Sequence, residues 1–192
     1  MRGLGRVLVI ADDRDAHMAT LAEDVCRVLT RRAVSVECIG LNGFEPAMSE
    51  RERRAYESDT PICDDAVATS ADAVRRADSL VFVCPTLSNG LSAPVKGWLD
   101  RVLVPGVAFL LDERTGRVRP ALGHISTLGL IAVDDRSALR RWLEHDNARR
   151  VIFRALRLVC GLKTRTRSLR VTTAVLDREA DLAVALQKMT RW

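Results

Sequence analysis

The chain has 192 residues, of which 47% are hydrophobic and 29% are charged, with a formal net charge of +5. This composition is typical of a globular protein, and no apolar run approaches the roughly 18 residues that a membrane-spanning helix needs. We expect a single domain over residues 1–192 with no membrane span, and cytoplasmic localisation because residues 1–6 do not resemble a secretory leader.

The positive charge comes mostly from arginine, and a small basic group lies near the C-terminal third. Arg165, Arg167 and Arg170 flank a predicted edge strand, where charged side chains prevent edge-to-edge aggregation. They could instead contact phosphates, but we favour a solvated face and expect no nucleic-acid partner.

The chain contains five widely spaced cysteines, and their number is odd. They are Cys26, Cys38, Cys63, Cys84 and Cys160. No two of them have the spacing of metal ligands, and an odd, scattered set is typical of reduced thiols. We therefore expect neither a disulfide framework nor a metal site built on cysteine.

Strand and helix patterns alternate along the whole chain. Apolar runs predict five strands at residues 7–11, 34–39, 80–84, 125–133 and 169–175. Amphipathic spacing and capping residues predict helices at 16–31, 49–56, 64–76, 93–102, 137–159 and 177–189. This order predicts an α/β protein with three layers, a doubly wound parallel five-stranded sheet with strand order 2-1-3-4-5.

Ligands of such sheets bind beyond the carboxyl ends of the strands, where the strand order reverses. The loops at that place are 12–18, 85–92 and 133–136. The three histidines are scattered, and no Walker or Gly-x-Gly-x-x-Gly loop occurs. Asp12 and Asp13 also permit a magnesium site, which we disfavour because Pro85 and Thr86 stand where a phosphoryl-accepting aspartate would be needed.

The most informative segment is 77–109, in which a buried strand ends at a proline and a short polar loop leads into an amphipathic helix. That helix carries Lys96, Gly97, Trp98, Asp100, Arg101 and Val102. Further motif residues are Leu41, Gly43, Phe44, Pro46, Ser49, Gly106, Ala108, Phe109, Cys160 and Gly161. Together they resemble the NAD(P)H:quinone oxidoreductase family of flavodoxin-like flavoproteins. Gly97 and Trp98 also suit a close helix crossing and core packing.

The resemblance implies a homodimer that passes hydride from NAD(P)H through FMN or FAD to a quinone-like acceptor. It implies no catalytic side chain, because the flavin performs the chemistry. The cofactor-binding residues that it implies near the phosphate are Ala16, His17, Met18 and Ala19. Those that it implies at the ring are Pro85, Thr86, Leu87, Ser88, Asn89, Gly90, Val133, Asp134 and Asp135.

The same three loops depart from the family pattern. Asp12, Asp13 and Asp15 replace the usual hydroxyl and amide donors, and three carboxylates are expected to repel a phosphate, although Asp15 also suits a helix N-cap. The second loop lacks aromatic residues, and Asp134 and Asp135 stand where the family has a Thr-Thr-Gly-Gly type of turn. The alternative is therefore a non-catalytic interaction or regulatory subunit with an eroded flavin site.

Overall fold

The computed structural model describes residues 5–31, 33, 35–56, 58, 61–87, 90–112, 117–137, 139 and 146–188. Its strands are β1 (Arg6–Ala11), β2 (Ser35–Gly40), β3 (Ser79–Pro85), β4 (Phe109–Leu111), β5 (Val118–Pro120), β6 (Thr127–Val133) and β7 (Arg165–Val171). Its helices are α1 (Ala16–Thr30), α2 (Glu50–Ala55), α3 (Asp65–Arg76), α4 (Ala93–Val102), α5, α6 (Thr173–Leu176) and α7 (Glu179–Gln187). Helix α5 joins Asn147–Arg150, a π-helical segment Val151–Ala155, and Leu156–Cys160.

The main sheet has five parallel strands in the order β2-β1-β3-β6-β7. This order confirms the predicted doubly wound sheet. Helices α1 and α7 pack on one face of the sheet, while α3, α4 and α5 pack on the other. The central strands are buried on both faces, which explains their continuous apolar sequences. Within the described residues, no helix is both long enough and apolar enough to cross a membrane.

Several helix starts follow directly from local sequence. Asp15 caps α1 by accepting a hydrogen bond from the Met18 amide at 2.9 Å. Ser49 and Glu52 form the predicted capping box at α2, in which each side chain accepts a hydrogen bond from the other residue's amide. These contacts satisfy amide groups that have no partner within the helix.

The motif residues Gly97 and Trp98 of α4 serve packing, as predicted. The Trp98 side chain is fully buried and meets Phe82 edge-to-face, with 6.0 Å between the ring centroids. At Gly97, a Cβ atom would lie only 2.3 Å from the Cα and carbonyl oxygen of Pro46. The close approach of α4 to residue 46 therefore requires glycine at this position.

Arg101 anchors α4 to the segment that precedes α3. Its Nε donates to the Glu52 carboxylate at 2.8 Å, and its Nη1 donates to the Glu45 carbonyl at 2.7 Å. A second carboxylate, that of Asp64, lies 3.3 Å from Nη2, and the guanidinium stacks 5.1 Å from the centre of the Phe44 ring. Arg101 is thus a buried structural residue away from the strand ends.

The structure differs from the predicted elements in two places. The fifth strand is present, but its predicted bounds of 169–175 are wrong: β7 is Arg165–Val171, and the chain then forms α6. The β-branched residues at 171–173 mimic a strand, whereas basic residues conceal its true start at the sheet edge. The antiparallel hairpin of β4 and β5 was not predicted, because its strands have only three residues each. Most of the predicted helix start at 137–145 lies outside the described residues.

The expectation of five reduced thiols is also wrong. Cys26 of α1 and Cys38 of β2 form a disulfide, with a Cα–Cα distance of 7.0 Å. Their sequence spacing carries no signal, because only the packing of α1 against the edge strand brings them together. Cys84 and Cys160 are buried thiols, and burial raises the pKa of each to about 12.

Candidate functional site

A cleft of about 620 Å³ opens beyond the carboxyl ends of β1, β3 and β6. It is lined by Asp15, His17, Met18, Pro85, Thr86, Leu87, Val133, Asp134, Asp135, Arg136, Thr173 and Leu176. Small-molecule and cofactor sites commonly have volumes of this order. The cleft therefore lies where the strand order predicts a ligand and is large enough for one.

The cleft brings together parts of all three predicted loops. From the first loop it takes His17 and Met18, but Ala16 and Ala19 are not among its lining residues. From the second and third loops it takes Pro85, Thr86, Leu87, Val133, Asp134 and Asp135. Gly90 does not line the cleft, although it exchanges backbone hydrogen bonds with Leu87. Ser88 and Asn89 lie outside the described residues.

The floor of the cleft continues the hydrogen bonding of the sheet past the strand ends. The Asp12 amide donates to the Val83 carbonyl at 2.9 Å, and the Thr86 amide donates to the Val133 carbonyl at 2.8 Å. The Asp134 amide donates to the carbonyl of Val171 at 2.9 Å. Each of the three loops is thus tied through its backbone to the neighbouring strand at the base of the cleft.

The Asp12 carboxylate is directed into the protein and forms an ion pair. Its side chain is only 2% exposed, and Arg14 donates to it through Nε at 2.7 Å and Nη2 at 3.0 Å. Burial acts to raise the pKa of Asp12, but the interactions with Arg14 and Ser92 together outweigh burial, so the pKa lies below its ordinary value. Asp12 is therefore an ionised structural carboxylate.

Asp13 is directed away from the cleft, towards the end of β2. Its carboxylate accepts a hydrogen bond from the Asn42 amide at 2.7 Å. A Cβ atom at Gly40 would lie 2.1 Å from its Oδ2 atom, so the carboxylate occupies the space above that glycine. The expectation that all three aspartates would face a phosphate is therefore wrong for Asp12 and Asp13. Because the carboxylates of Asp12 and Asp13 point in different directions, their arrangement also argues against a magnesium site on these two residues.

Asp15 is the acidic residue of this loop that does line the cleft. Its carboxylate holds the Met18 amide, which is one of the donors that the start of α1 offers. Beside it, His17 Nε2 lies 3.8 Å from Asp177 Oδ1, and both side chains are exposed. The start of α1 thus presents a carboxylate to the cleft.

The third loop is arranged around the buried carboxylate of Asp134. Arg136 donates to it through Nε at 2.9 Å and Nη2 at 3.0 Å, and Arg170 Nε lies 3.4 Å away. Arg170 also pairs with Asp146 at the start of α5. Burial opposes ionisation of Asp134, but these arginines lower its pKa below the ordinary value.

Asp135 joins the third loop to the segment after β7. Its carboxylate accepts a hydrogen bond from the Thr173 amide at 2.7 Å and another from the Thr173 hydroxyl. Thr173 and Leu176 were not predicted as site residues, because the sequence pattern places Thr173 inside a strand and Leu176 just beyond it. Arg136 was within a loop already identified, so its position there was a signal for the site.

The residues present fit a flavin ring better than they fit a phosphate. Met18, Pro85, Leu87 and Val133 provide apolar surface that a ring could contact, beside the polar side chains of the same lining. At the start of α1, by contrast, Asp15 occupies an amide that an anion would use. The phosphate of the expected cofactor therefore has no suitable binding site at the start of α1.

Comparisons with known proteins bear on the fold. No curated protein matches the chain. Among solved structures, the chain is similar to an NAD(P)H:quinone oxidoreductase from Methanothermobacter marburgensis (19% identity, TM-score 0.77), with 99% of this chain and 97% of that chain covered. It is also similar to an FMN-dependent NADH-azoreductase from Bacillus anthracis in complex with FMN (14% identity, TM-score 0.64), with 97% and 96% covered. The family model described as the flavodoxin-like fold matches residues 6–189, and the chain therefore belongs to the flavodoxin-like fold family.

Proposed function

We propose that the chain is a flavin-dependent oxidoreductase of the quinone reductase type. In this proposal it accepts hydride from NAD(P)H on FMN or FAD and passes it to a quinone-like acceptor. The supporting observation is the cleft of about 620 Å³ beyond β1, β3 and β6, whose lining includes residues of the three loops in which the family resemblance places a flavin. The names of the similar reductases support the same reaction class.

The chain's own residues would act by binding and orienting the ring. Leu87 and Val133 would contact its apolar surface, and the backbone of residues 85–87 and 133–135 would border its polar edge. Arg136, held by Asp134, would place positive charge near that edge. The bound flavin supplies the hydride chemistry, and nearby positive charge and hydrogen bonds tune it.

We further propose a homodimer of a single domain over residues 1–192.

The direct test is whether the purified protein carries or binds a flavin. We expect yellow protein that releases a flavin on denaturation, or protein that takes up added riboflavin or FMN in a calorimetric titration. NADH oxidation with a soluble quinone then tests the reaction. Colourless protein that binds neither flavin would overturn the proposal.

A matched pair of variants tests the location of the site. Leu87 lies in the cleft and Leu110 lies on the β4–β5 hairpin, and both side chains are 52% exposed. We expect Leu87→Gln to weaken flavin binding about fivefold through lost apolar contact, whereas Leu110→Gln should leave it unchanged. Equal effects of both substitutions would place the flavin elsewhere.

The second candidate is a non-catalytic interaction subunit. It is favoured by the polar groups of the cleft, several of which already have partners within the chain. Asp15 holds the Met18 amide, Asp135 holds Thr173, and Asp134 holds Arg136. Failure of both flavins to bind correctly folded protein would support this candidate.

A further inference from the structure

We infer that the cleft recognises a flavin through its ring alone, with no favourable contact to a phosphate, so that riboflavin and FMN bind with similar affinity. This inference rests on the proposed function and names its ligand class more closely. It replaces the phosphate contact expected from residues 16–19. Its basis is the arrangement of charged groups over residues 12–18, all of which the structure describes.

The start of α1 already carries a negatively charged group. A helix N-terminus binds anions because its first amides lack partners and its dipole is positive there. In this chain the Asp15 carboxylate lines the cleft and accepts a hydrogen bond from the Met18 amide at 2.9 Å. The start of α1 therefore already has an anion, the Asp15 carboxylate. Because this carboxylate is part of the chain, a ligand cannot replace it by exchange.

The basic side chains of the loop, Arg14 and His17, both lie beside acids. Arg14 is the arginine of this loop, and its Nε and Nη2 donate to the buried Asp12 carboxylate, which holds the guanidinium at that residue. Moving it would leave Asp12, only 2% exposed, as an uncompensated buried charge, which is strongly unfavourable. The His17 ring also has an acidic neighbour, because its Nε2 lies 3.8 Å from Asp177 Oδ1.

Acidic groups outnumber the arginine in residues 12–18. The loop carries three carboxylates and one guanidinium, and the guanidinium is bound to one of the carboxylates. A phosphate placed at the start of α1 would meet the Asp15 carboxylate, whereas the Arg14 guanidinium is held at Asp12. A ligand with an uncharged tail meets no such repulsion, and its ring would still contact Leu87 and Val133.

The experiment compares riboflavin with FMN, using quenching of flavin fluorescence by the full chain. We expect dissociation constants within about threefold of each other at low salt. Raising the ionic strength from about 0.02 to 0.2 M should strengthen FMN binding by screening the repulsion and leave riboflavin binding unchanged. An attractive phosphate site would give the opposite salt dependence for FMN.

Two isosteric variants locate the effect. Asp15→Asn keeps a good N-cap but removes the charge, so it should strengthen FMN binding about fivefold and leave riboflavin binding unchanged. Asp13→Asn is the control, because it removes the same charge from the same loop where the carboxylate is directed at Asn42. It should change the FMN-to-riboflavin ratio less than twofold.

The outcomes separate this inference from the proposed function. If neither flavin binds, the proposed function fails and this inference fails with it. If FMN binds more than tenfold tighter than riboflavin, and salt weakens it, a phosphate site exists and only this inference is overturned. An Asp15→Asn variant that weakens FMN binding would overturn it as well.

Discussion

The guanidinium of Arg101 contacts the carboxylate of Glu52 at 2.8 Å, and the two side chains are only 6% and 5% exposed. This ion pair joins α4 to α2 across 49 residues of sequence. Burial acts to raise the pKa of Glu52, but hydrogen bonds from Ser49 and Arg101 lower it below its ordinary value. The motif residue Arg101 therefore holds the segment before α3 onto the core.

Removing Arg101 should strongly destabilise the protein. In Arg101→Met the Glu52 carboxylate would stay buried without its partner, and we expect the free energy of unfolding to fall by about 3 kcal/mol. Lys96→Met is the control, because Lys96 pairs with Asp100 on the exposed face of the same helix and should lose less than about 1 kcal/mol. Urea unfolding measures both, and similar losses would contradict the structural role of Arg101.

Gly97→Ala should destabilise the protein although alanine favours helices. The new Cβ would lie 2.3 Å from the Pro46 backbone, and we expect a net loss of about 2 kcal/mol. At Gly123 a Cβ would be 4.0 Å from its nearest neighbour, the Cys160 carbonyl oxygen, so Gly123→Ala should be nearly neutral. Thermal unfolding compares them, and a stabilised Gly97→Ala variant would show that α4 does not approach Pro46 closely.

The Cys26–Cys38 disulfide should be detectable chemically. Denatured protein should react with a thiol reagent at three cysteines before reduction and at five after it. Reduction should lower the free energy of unfolding by about 2 kcal/mol, because the unfolded chain gains freedom. Cys63→Ser, outside the disulfide, should change stability little. Five reactive thiols in unreduced protein would contradict the bond.

Acid should remove the stabilising contribution of Asp134. Its pKa is lowered in the folded protein, so this contribution is complete above the unfolded value of about 3.9 and is lost as the pH falls through the folded value. Asp134→Asn should lose about 2 kcal/mol at pH 7, because the substitution removes the charged partner that Arg136 and Arg170 contact in the folded protein. Urea unfolding from pH 6 to pH 3 should show the difference between the two proteins shrinking, whereas a constant difference would exclude the linkage.

Sequence reasoning succeeded where the signal was local. The apolar run of β3, its end at Pro85 and the helical spacing of α4 predicted both elements within two residues. The alternation of strands and helices predicted the sheet order, because few topologies accommodate it. The position of the cleft then followed from the strand order.

The rest depended on contacts between distant parts of the chain. Nothing in the spacing of Asp12, Asp13 and Asp15 indicates that only the last lines the cleft, because Arg14 and the Asn42 amide decide where the other two point. Likewise Cys26 meets Cys38 only after α1 packs on β2. The basic residues of β7 interrupt the apolar pattern by which a strand is recognised in sequence. They are tolerated because β7 lies at the edge of the sheet.

The backbone hydrogen bonds beneath the cleft have a kinetic consequence. The Thr86 and Asp134 amides are already bonded to the neighbouring strands, so this part of the binding surface is assembled before a ligand arrives. An incoming molecule need not order these segments, and little conformational entropy is lost there on association. We therefore expect that ordering of the floor does not slow ligand capture.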